Sequence, residues 1–253
     1  MNTYRTSEIA GKIGIHPNTV RLYEELNLIP KPKRLLNGYR IFTNLHLEQM
    51  ILVRMALKAE ILHGGLRKQA IEIVKEAASL QYDKAIHMTK SYGKQITKEQ
   101  KKAEEAIEIA KKLLSGKRNQ TETSIFTRKE AADYLDISID SLRNWEMNGL
   151  LTVKRKQNGY RIYTGEDIRR LKIIRSLRSA NYSLSAILRM LLAFTLNPDT
   201  DIRIAIDTPT GEEDIISVYD KLLTSLQEAM DLATAMELQL NKMKRLFYKN
   251  PTL

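Results

Sequence analysis

The sequence predicts a mainly α chain built on two winged helix-turn-helix domains, with small β-hairpin wings, connecting helices and a C-terminal coiled-coil helix. Three observations carry this. The string Asn37-Gly38-Tyr39-Arg40-Ile41-Phe42 returns as Asn158-Gly159-Tyr160-Arg161-Ile162-Tyr163. Each string follows two short helix-like segments and precedes an apolar-periodic one. The chain ends in a long, regular apolar seam. An Asn-Gly pair can hold both central residues of a tight hairpin at positive φ, so each string reads as a wing.

Residues 1–65 form the first unit. Thr6 or Ser7 can cap a short helix carrying Ile9, Ala10 and Ile13, and Gly14 breaks it. His16-Pro17 restarts a helix that runs through Val20 to about Leu26, since proline suits the first helical position. Leu28-Ile29-Pro30 leads into the wing. A further amphipathic helix spans Leu45 to about Ala59, with Leu47, Met50, Ile51, Val53 and Leu57 as its core side.

Residues 66–124 read as a connector of two helical pieces broken near Gly93, closed by a polar linker over 115–124. Residues 125–195 restate the first unit. Glu8 returns as Glu130, Ala10 as Ala132, Arg21 as Arg143, Glu24 as Glu146 and Leu28 as Leu150, while one residue is lost before Gly38 returns as Gly159. Thr127-x-x-Glu130 is a capping box and Ser138 a second cap. Ile168, Leu171, Ile174 and Leu177 continue as helix, and Ser183 starts another that ends near Phe194.

Residues 196–253 are a loop, with a short turn at Ile202–Ile206, and then the seam. Ile215, Tyr219, Leu222, Leu226, Ala229, Ala233, Met236, Leu240, Met243 and Phe247 alternate steps of four and three. That pattern argues for a coiled coil, and its length and regularity favour pairing with a second copy over folding back on the same chain. Tyr219, Leu222, Leu226, Met236, Leu240, Met243 and Phe247 are the expected homodimer contacts.

Charge separates the segments. The formal net charge of +11 divides as +4, +5, +6 and −4 over the four segments in order. A basic body and an acidic tail point to a nucleic-acid partner for the first three segments and another task for the last. With no cysteine among 253 residues, a disulfide framework, a Cys-based zinc site and thiol sensing are excluded. The four histidines, His16, His46, His63 and His87, have no metal-ligand spacing. No paired carboxylates, nucleophile–base set or phosphate-cradling glycine loop suggests an enzyme. No cofactor is expected. The N-terminus runs directly into the first unit, and no apolar run approaches the ~18 residues of a membrane span.

The second helix of each unit is the candidate for the major groove, where side chains near a helix start reach base edges. Those side chains are Asn18, Thr19 and Arg21 in one unit and Asp140, Ser141, Arg143 and Asn144 in the other. Lys31, Lys33, Arg34, Tyr39 and Arg40, and Lys154, Arg155, Lys156, Tyr160 and Arg161, suit phosphate contacts from the wings. Tyr23 and Trp145 share one matched position. Their polar atoms can reach a phosphate, or their rings can pack behind the helix, and the sequence favours neither. Glu24 and Glu146 are acidic in a basic patch and read as partners that orient an arginine.

Val20-Arg21-Leu22-Tyr23-Glu24 followed by Asn37-Gly38-Tyr39-Arg40-Ile41-Phe42 resembles the DNA-binding domain of the MerR family of bacterial transcription regulators. Leu142-Arg143-Asn144-Trp145-Glu146 with the second wing string resembles it too. The resemblance implies a winged helix-turn-helix followed by a long helix that pairs antiparallel with its twin in a dimer. It implies binding to pseudo-palindromic sites, often promoters with an overlong spacer, distorted so that RNA polymerase can start. It carries DNA contact to Arg21, Tyr23, Arg40, Arg143, Trp145 and Arg161. The chain departs from the family at Leu22 and Asn144, where a tyrosine is usual, at Trp145, and in having two units.

The expectation is therefore a sequence-specific transcription regulator, homodimeric and cytoplasmic in a bacterial nucleoid, with double-stranded DNA as partner and no effector assigned. The alternatives are an architectural DNA-binding protein, for compaction, partition or recombination, acting as a single-chain pseudo-dimer, and a protein-interaction adaptor.

Overall fold

The structure, a computed structural model, describes residues 2–58, 65–116, 125–209 and 218–247. The first repeat opens with β1 (Thr3–Tyr4) and α1 (Thr6–Ile13). The N-cap of α1 is Arg5 and not Thr6 or Ser7: the Glu8 carboxylate accepts from the Arg5 N–H at 2.7 Å. A carboxylate three residues in satisfies the donor just outside the helix, so no hydroxyl is needed. α2 (Pro17–Glu25) starts on Pro17, and the His16 ring accepts from the Asn18 N–H. β2 (Lys33–Arg34) and β3 (Arg40–Thr43) make the wing, and β1 adds to its free edge in the order β1-β3-β2. α3 (Asn44–Lys58), α4 (Leu66–Ala78) and α5 (Tyr82–Ser115) follow.

The second repeat supplies α6 (Arg128–Tyr134), α7 (Ile139–Met147), a two-stranded wing of β4 (Lys154–Arg155) and β5 (Arg161–Ile162), α8 (Gly165–Ser179) and α9 (Leu184–Leu196). Thr127 with Glu130 forms the expected capping box, and Ser138 and Ser183 cap α7 and α9. α10 (Ile202–Asp207), a 3-10 turn at Val218–Lys221 and α11 (Leu222–Phe247) complete the described chain.

The duplication is visible in the backbone. A matched position just past the first helix is left-handed in both repeats, as Gly14 (φ 71°), next after α1, and Asp136 (φ 49°), two past α6. So is the residue two past the second helix, as Asn27 (φ 55°) and Gly149 (φ 73°). Glycine, asparagine and aspartate are the residues that tolerate this conformation, and each repeat chose differently among them. One tie also recurs across a change of chemistry. The Gln49 amide donates to the Leu28 carbonyl at 2.9 Å, and the matched Arg170 donates to the matched Leu150 carbonyl at 2.6 Å.

Two expectations are corrected. The wing turns are not two-residue turns with both central residues at positive φ. Only Gly38 (φ 83°) and Gly159 (φ 80°) are left-handed there. The Gly38 N–H donates to the Leu35 carbonyl at 2.8 Å and the Leu35 N–H to the Tyr39 carbonyl at 2.9 Å, a longer turn closed by a glycine bulge. Asn37 and Asn158 act through their side chains, accepting from the N–H of Tyr39 and of Tyr160. The helix break of the connector lies at Leu80 (φ 63°) and not at Gly93. There the Gln81 N–H reaches back to the Glu76 carbonyl, which caps α4. Gly93 is interior to α5, where one glycine costs only about 1 kcal/mol.

The compact units do not follow the four sequence segments. One comprises residues 1–98 with 225–253, and the other residues 99–224. In the first, Ile9, Val20, Phe42, Met50 and Val53 form the centre of the helix-turn-helix core. Residues of α11 are added to it along α3 and the first half of α5. The Glu48 carboxylate accepts from Gln239 at 2.8 Å and from Lys242 at 2.6 Å. Lys90 pairs with Glu237 at 3.6 Å, and Asp83 pairs with Lys244. Numbers rise along one helix as they fall along the other, so α11 runs antiparallel to this part of α5.

In the second unit Ile168, Leu171, Ile174 and Leu177 are buried as expected, together with Ile187 and Met190. The later half of α5 belongs here: Arg169 donates to the Leu113 carbonyl at 2.6 Å and to the Gly116 carbonyl. Asp207 holds the start of α11, accepting from the Leu223 N–H at 2.8 Å.

The described residues of the C-terminal seam are buried in the single chain. Leu222, Leu226, Ala229, Ala233, Met236, Leu240, Met243 and Phe247 are each no more than 3 % exposed. Ile215 and the Tyr219 side chain lie outside the described residues. From Glu237 to Lys244, α11 lies along the chain's own α3 and α5. Among the described residues, no helix is long and apolar enough to cross a membrane.

Candidate nucleic-acid interface

The candidate interface is built twice, each time from a reading helix and a wing. On α2, Asn18 and Arg21 are exposed and joined, with Arg21 Nη1 donating to Asn18 Oδ1 at 3.1 Å; Thr19 is half-buried. On α7, Asp140, Arg143 and Asn144 are exposed and Ser141 is half-buried. Asn144 Oδ1 accepts from Asn148 at 2.7 Å.

Tyr23 and Trp145 are 5 % and 6 % exposed. Their rings pack behind their helices. The physical reason is placement: Tyr23 falls on the same side of α2 as the fully buried Val20, and Trp145 on the same side of α7 as Leu142.

The two glutamates couple wing to reading helix. Glu24 accepts from Arg40 Nε at 2.5 Å and lies 3.7 Å from Arg34. Glu146 pairs with Arg161 at 2.7 Å and with Arg128 at 2.9 Å, and the Tyr163 hydroxyl donates to it. Each wing sets two arginines directly opposite one another, Arg34 against Arg40 and Arg155 against Arg161. Like charges so placed repel, and the carboxylate beneath the ribbon offsets that repulsion. Arg40 and Arg161 therefore have one edge committed to a glutamate and are only partly exposed. Burial, reinforced by the bond to Glu146, pushes the Tyr163 hydroxyl up to about 12, which keeps it a proton donor. Arg128 Nε donates to the Tyr163 hydroxyl oxygen at 3.4 Å, and that bond holds the Arg128 guanidinium above its usual value. Sequence reasoning missed Arg128 and Tyr163, because the first repeat has Thr6 and Phe42 there and no shared pattern marks them.

Lys31, Lys33, Arg34 and Tyr39, and Lys154, Arg155, Lys156 and Tyr160, all project into solvent. In the second unit a hollow of about 300 Å³ lies between the wing and the start of α6, with Arg128, Lys156 and Arg161 around it. Such clusters suit phosphate oxygens, which contribute affinity and register more than sequence discrimination. No group of three or more metal-ligating side chains occurs among the described residues.

Comparison with known proteins matches both repeats separately. Residues 5–42 match the model described as MerR family regulatory protein, and residues 126–193 match the one described as MerR HTH family regulatory protein. This chain carries two MerR-family units. The HTH-type transcriptional regulator CueR of Salmonella typhi is 42 % identical over 50 residues, 20 % of this chain and 36 % of that protein. The mercuric resistance operon regulatory protein of Bacillus cereus is 35 % identical over 51 residues, 20 % of this chain and 39 % of its own. The HTH-type transcriptional regulator ZntR of Escherichia coli K12 is 34 % identical over 71 residues, 28 % of this chain and 50 % of its own. The chain thus spans half or less of the length of these MerR relatives. No solved structure matches it significantly.

Proposed function

We propose that this chain is a MerR-type, DNA-binding transcription regulator that carries in one polypeptide both reading units of a two-half-site complex. It works without catalysis, its reading helices meeting base edges in the major groove and its wing cations meeting phosphates. The observation that carries the single-chain reading is the buried C-terminal seam. We read that burial, with α11 held along α3 and α5 by Glu48, Lys90 and Asp83, as a surface that needs no second copy. The names of the relatives support transcription regulation; promoter DNA as the site and RNA polymerase as the enzyme served belong to the proposal.

The pseudo-dimer half of the architectural alternative gains from the same observation; its compaction or partition half gains nothing. Light scattering of the free protein and of its complex with a selected DNA fragment tests the reading. The expected masses are one chain, 29.1 kDa, free and one chain per fragment. Two chains per fragment would refute the single-chain reading. Affinity should fall on the order of a thousandfold or more between 50 and 200 mM salt if about 6–10 phosphates are contacted. A flat salt response would refute DNA binding itself.

A further inference from the structure

The two reading helices keep one buried face and present two different outer faces. Val20 and Leu142 fill one matched core position, and Tyr23 and Trp145 another. Spacing of three, four and seven residues puts Asn18, Arg21, Leu22 and Glu25 on one exposed stripe of α2. The matched stripe of α7 is Asp140, Arg143, Asn144 and Met147, also exposed. Only the arginine is shared.

The changes alter what each stripe can bind. On α2 the Asn18 oxygen is taken by Arg21, so the pair offers donors outward. Donors suit the O6 and N7 acceptors of guanine, and Leu22, 48 % exposed, suits a thymine methyl. On α7 Asp140 offers acceptors only, which suits the amino group of cytosine. Asn144, its oxygen taken by Asn148, offers donors where Leu22 offered a methyl surface. The wing tips differ as well: Leu35 and the fully exposed Leu36 stand where the second wing has Lys156 and Gln157. A competing account gives Asp140 only the task of stabilising the helix N-terminus.

We infer that the two helices read different base sequences, so that the chain binds two unlike half-sites in one fixed order, with Asn18, Leu22, Asp140 and Asn144 as the specificity-determining residues. This rests on the DNA-reading role proposed above. A dimer of identical chains must read two like halves, and a duplicated chain is free of that constraint.

The test is selection of bound fragments from random DNA by the full chain. The expected motif has two unlike halves. Grafting the second stripe onto the first, by Asn18→Asp, Leu22→Asn and Glu25→Met, changes exposed side chains only. It should shift the preference to two copies of the second half-site, with about tenfold or greater loss on the original site. Asp140→Asn should change the preferred base in one half-site and leave the other unaltered. Two like halves from the unaltered chain, or a graft that leaves the motif as it was, would overturn the inference while leaving DNA binding intact. An Asp140→Asn chain that loses thermal stability with its motif unchanged would assign Asp140 to the helix end and overturn its role here. A chain that retains no DNA at low salt would overturn both this inference and the reading beneath it.

Discussion

Glu48 and Arg169 occupy the same position in the two repeats, and each grips the end of the long helix that follows the other repeat. Glu48 holds Gln239 and Lys242 of α11, and Arg169 holds the Leu113 and Gly116 carbonyls at the end of α5. The charges are opposite because the targets are: side-chain donors in one case, free carbonyls of a helix C-terminus in the other. Glu48→Ala should destabilise the first unit by about 1–2 kcal/mol, the lower part of the range for charged hydrogen bonds, because Lys242 is half-exposed. Arg169→Ala should act likewise on the second unit. Hydrogen exchange resolved by segment checks both: protection should fall in α11 for the first variant and at the end of α5 for the second.

The same arrangement fixes what a change in the seam does. Leu240 is fully buried against the first unit. Leu240→Ala should cost about 2–5 kcal/mol, as for any large-to-small change in a packed core. If the seam joined two copies, the same change would lower the mass in solution and make stability depend on concentration. The expected result is an unchanged mass and a lower urea midpoint that is independent of protein concentration.

Glu24 provides a test whose sign is informative. It is an anion close to a surface proposed to meet DNA. Were it only a surface charge, Glu24→Gln would tighten DNA binding by removing repulsion. Instead it holds Arg40 and neutralises the facing Arg34. The substitution should therefore loosen the wing, cost about 1–3 kcal/mol of stability and weaken DNA binding roughly tenfold. Glu146→Gln should do the same in the second unit. Thermal melts and fluorescence titration of labelled DNA measure the two effects separately.

These tests also mark what could be read without coordinates. The reading helices, the wings and the caps at Thr127, Ser138 and Ser183 were legible, because each depends on residues within a few positions of one another. The glutamate–arginine partnership was legible in kind, since an acid in a basic patch needs a reason. The seam was legible as a buried stripe but not as to its owner: heptad spacing states that a helix face must be covered and is silent on which chain covers it. The choice for Tyr23 and Trp145 needed coordinates, because a ring of either size fits a phosphate contact or a core. The turn type escaped because Asn-Gly serves more than one hairpin loop, and loop length was ambiguous by one residue.

His46 should make the first unit the more acid-sensitive of the two. Its ring is 6 % exposed, packs edge-on to Phe42 and accepts from the Thr43 N–H at 3.1 Å, in the role that Asp167 plays at the start of α8. Burial lowers its pKa to about 4, against the opposing pull of the Pro30 carbonyl and the Glu24 charge. The unfolded chain, with a value near 6.5, binds the proton first as pH falls. Above about 6.5 both states are neutral and the unit keeps its full stability. Between about 6.5 and 4 stability declines, and below about 4 the loss is complete, on the order of 3 kcal/mol. His46→Asn retains an oxygen for the Thr43 N–H and removes the imidazole, so it should flatten most of this decline. Urea midpoints of both proteins across this window, with hydrogen exchange for the first unit and Trp145 fluorescence for the second, measure the difference. A decline of equal depth in the variant would show that another group is responsible.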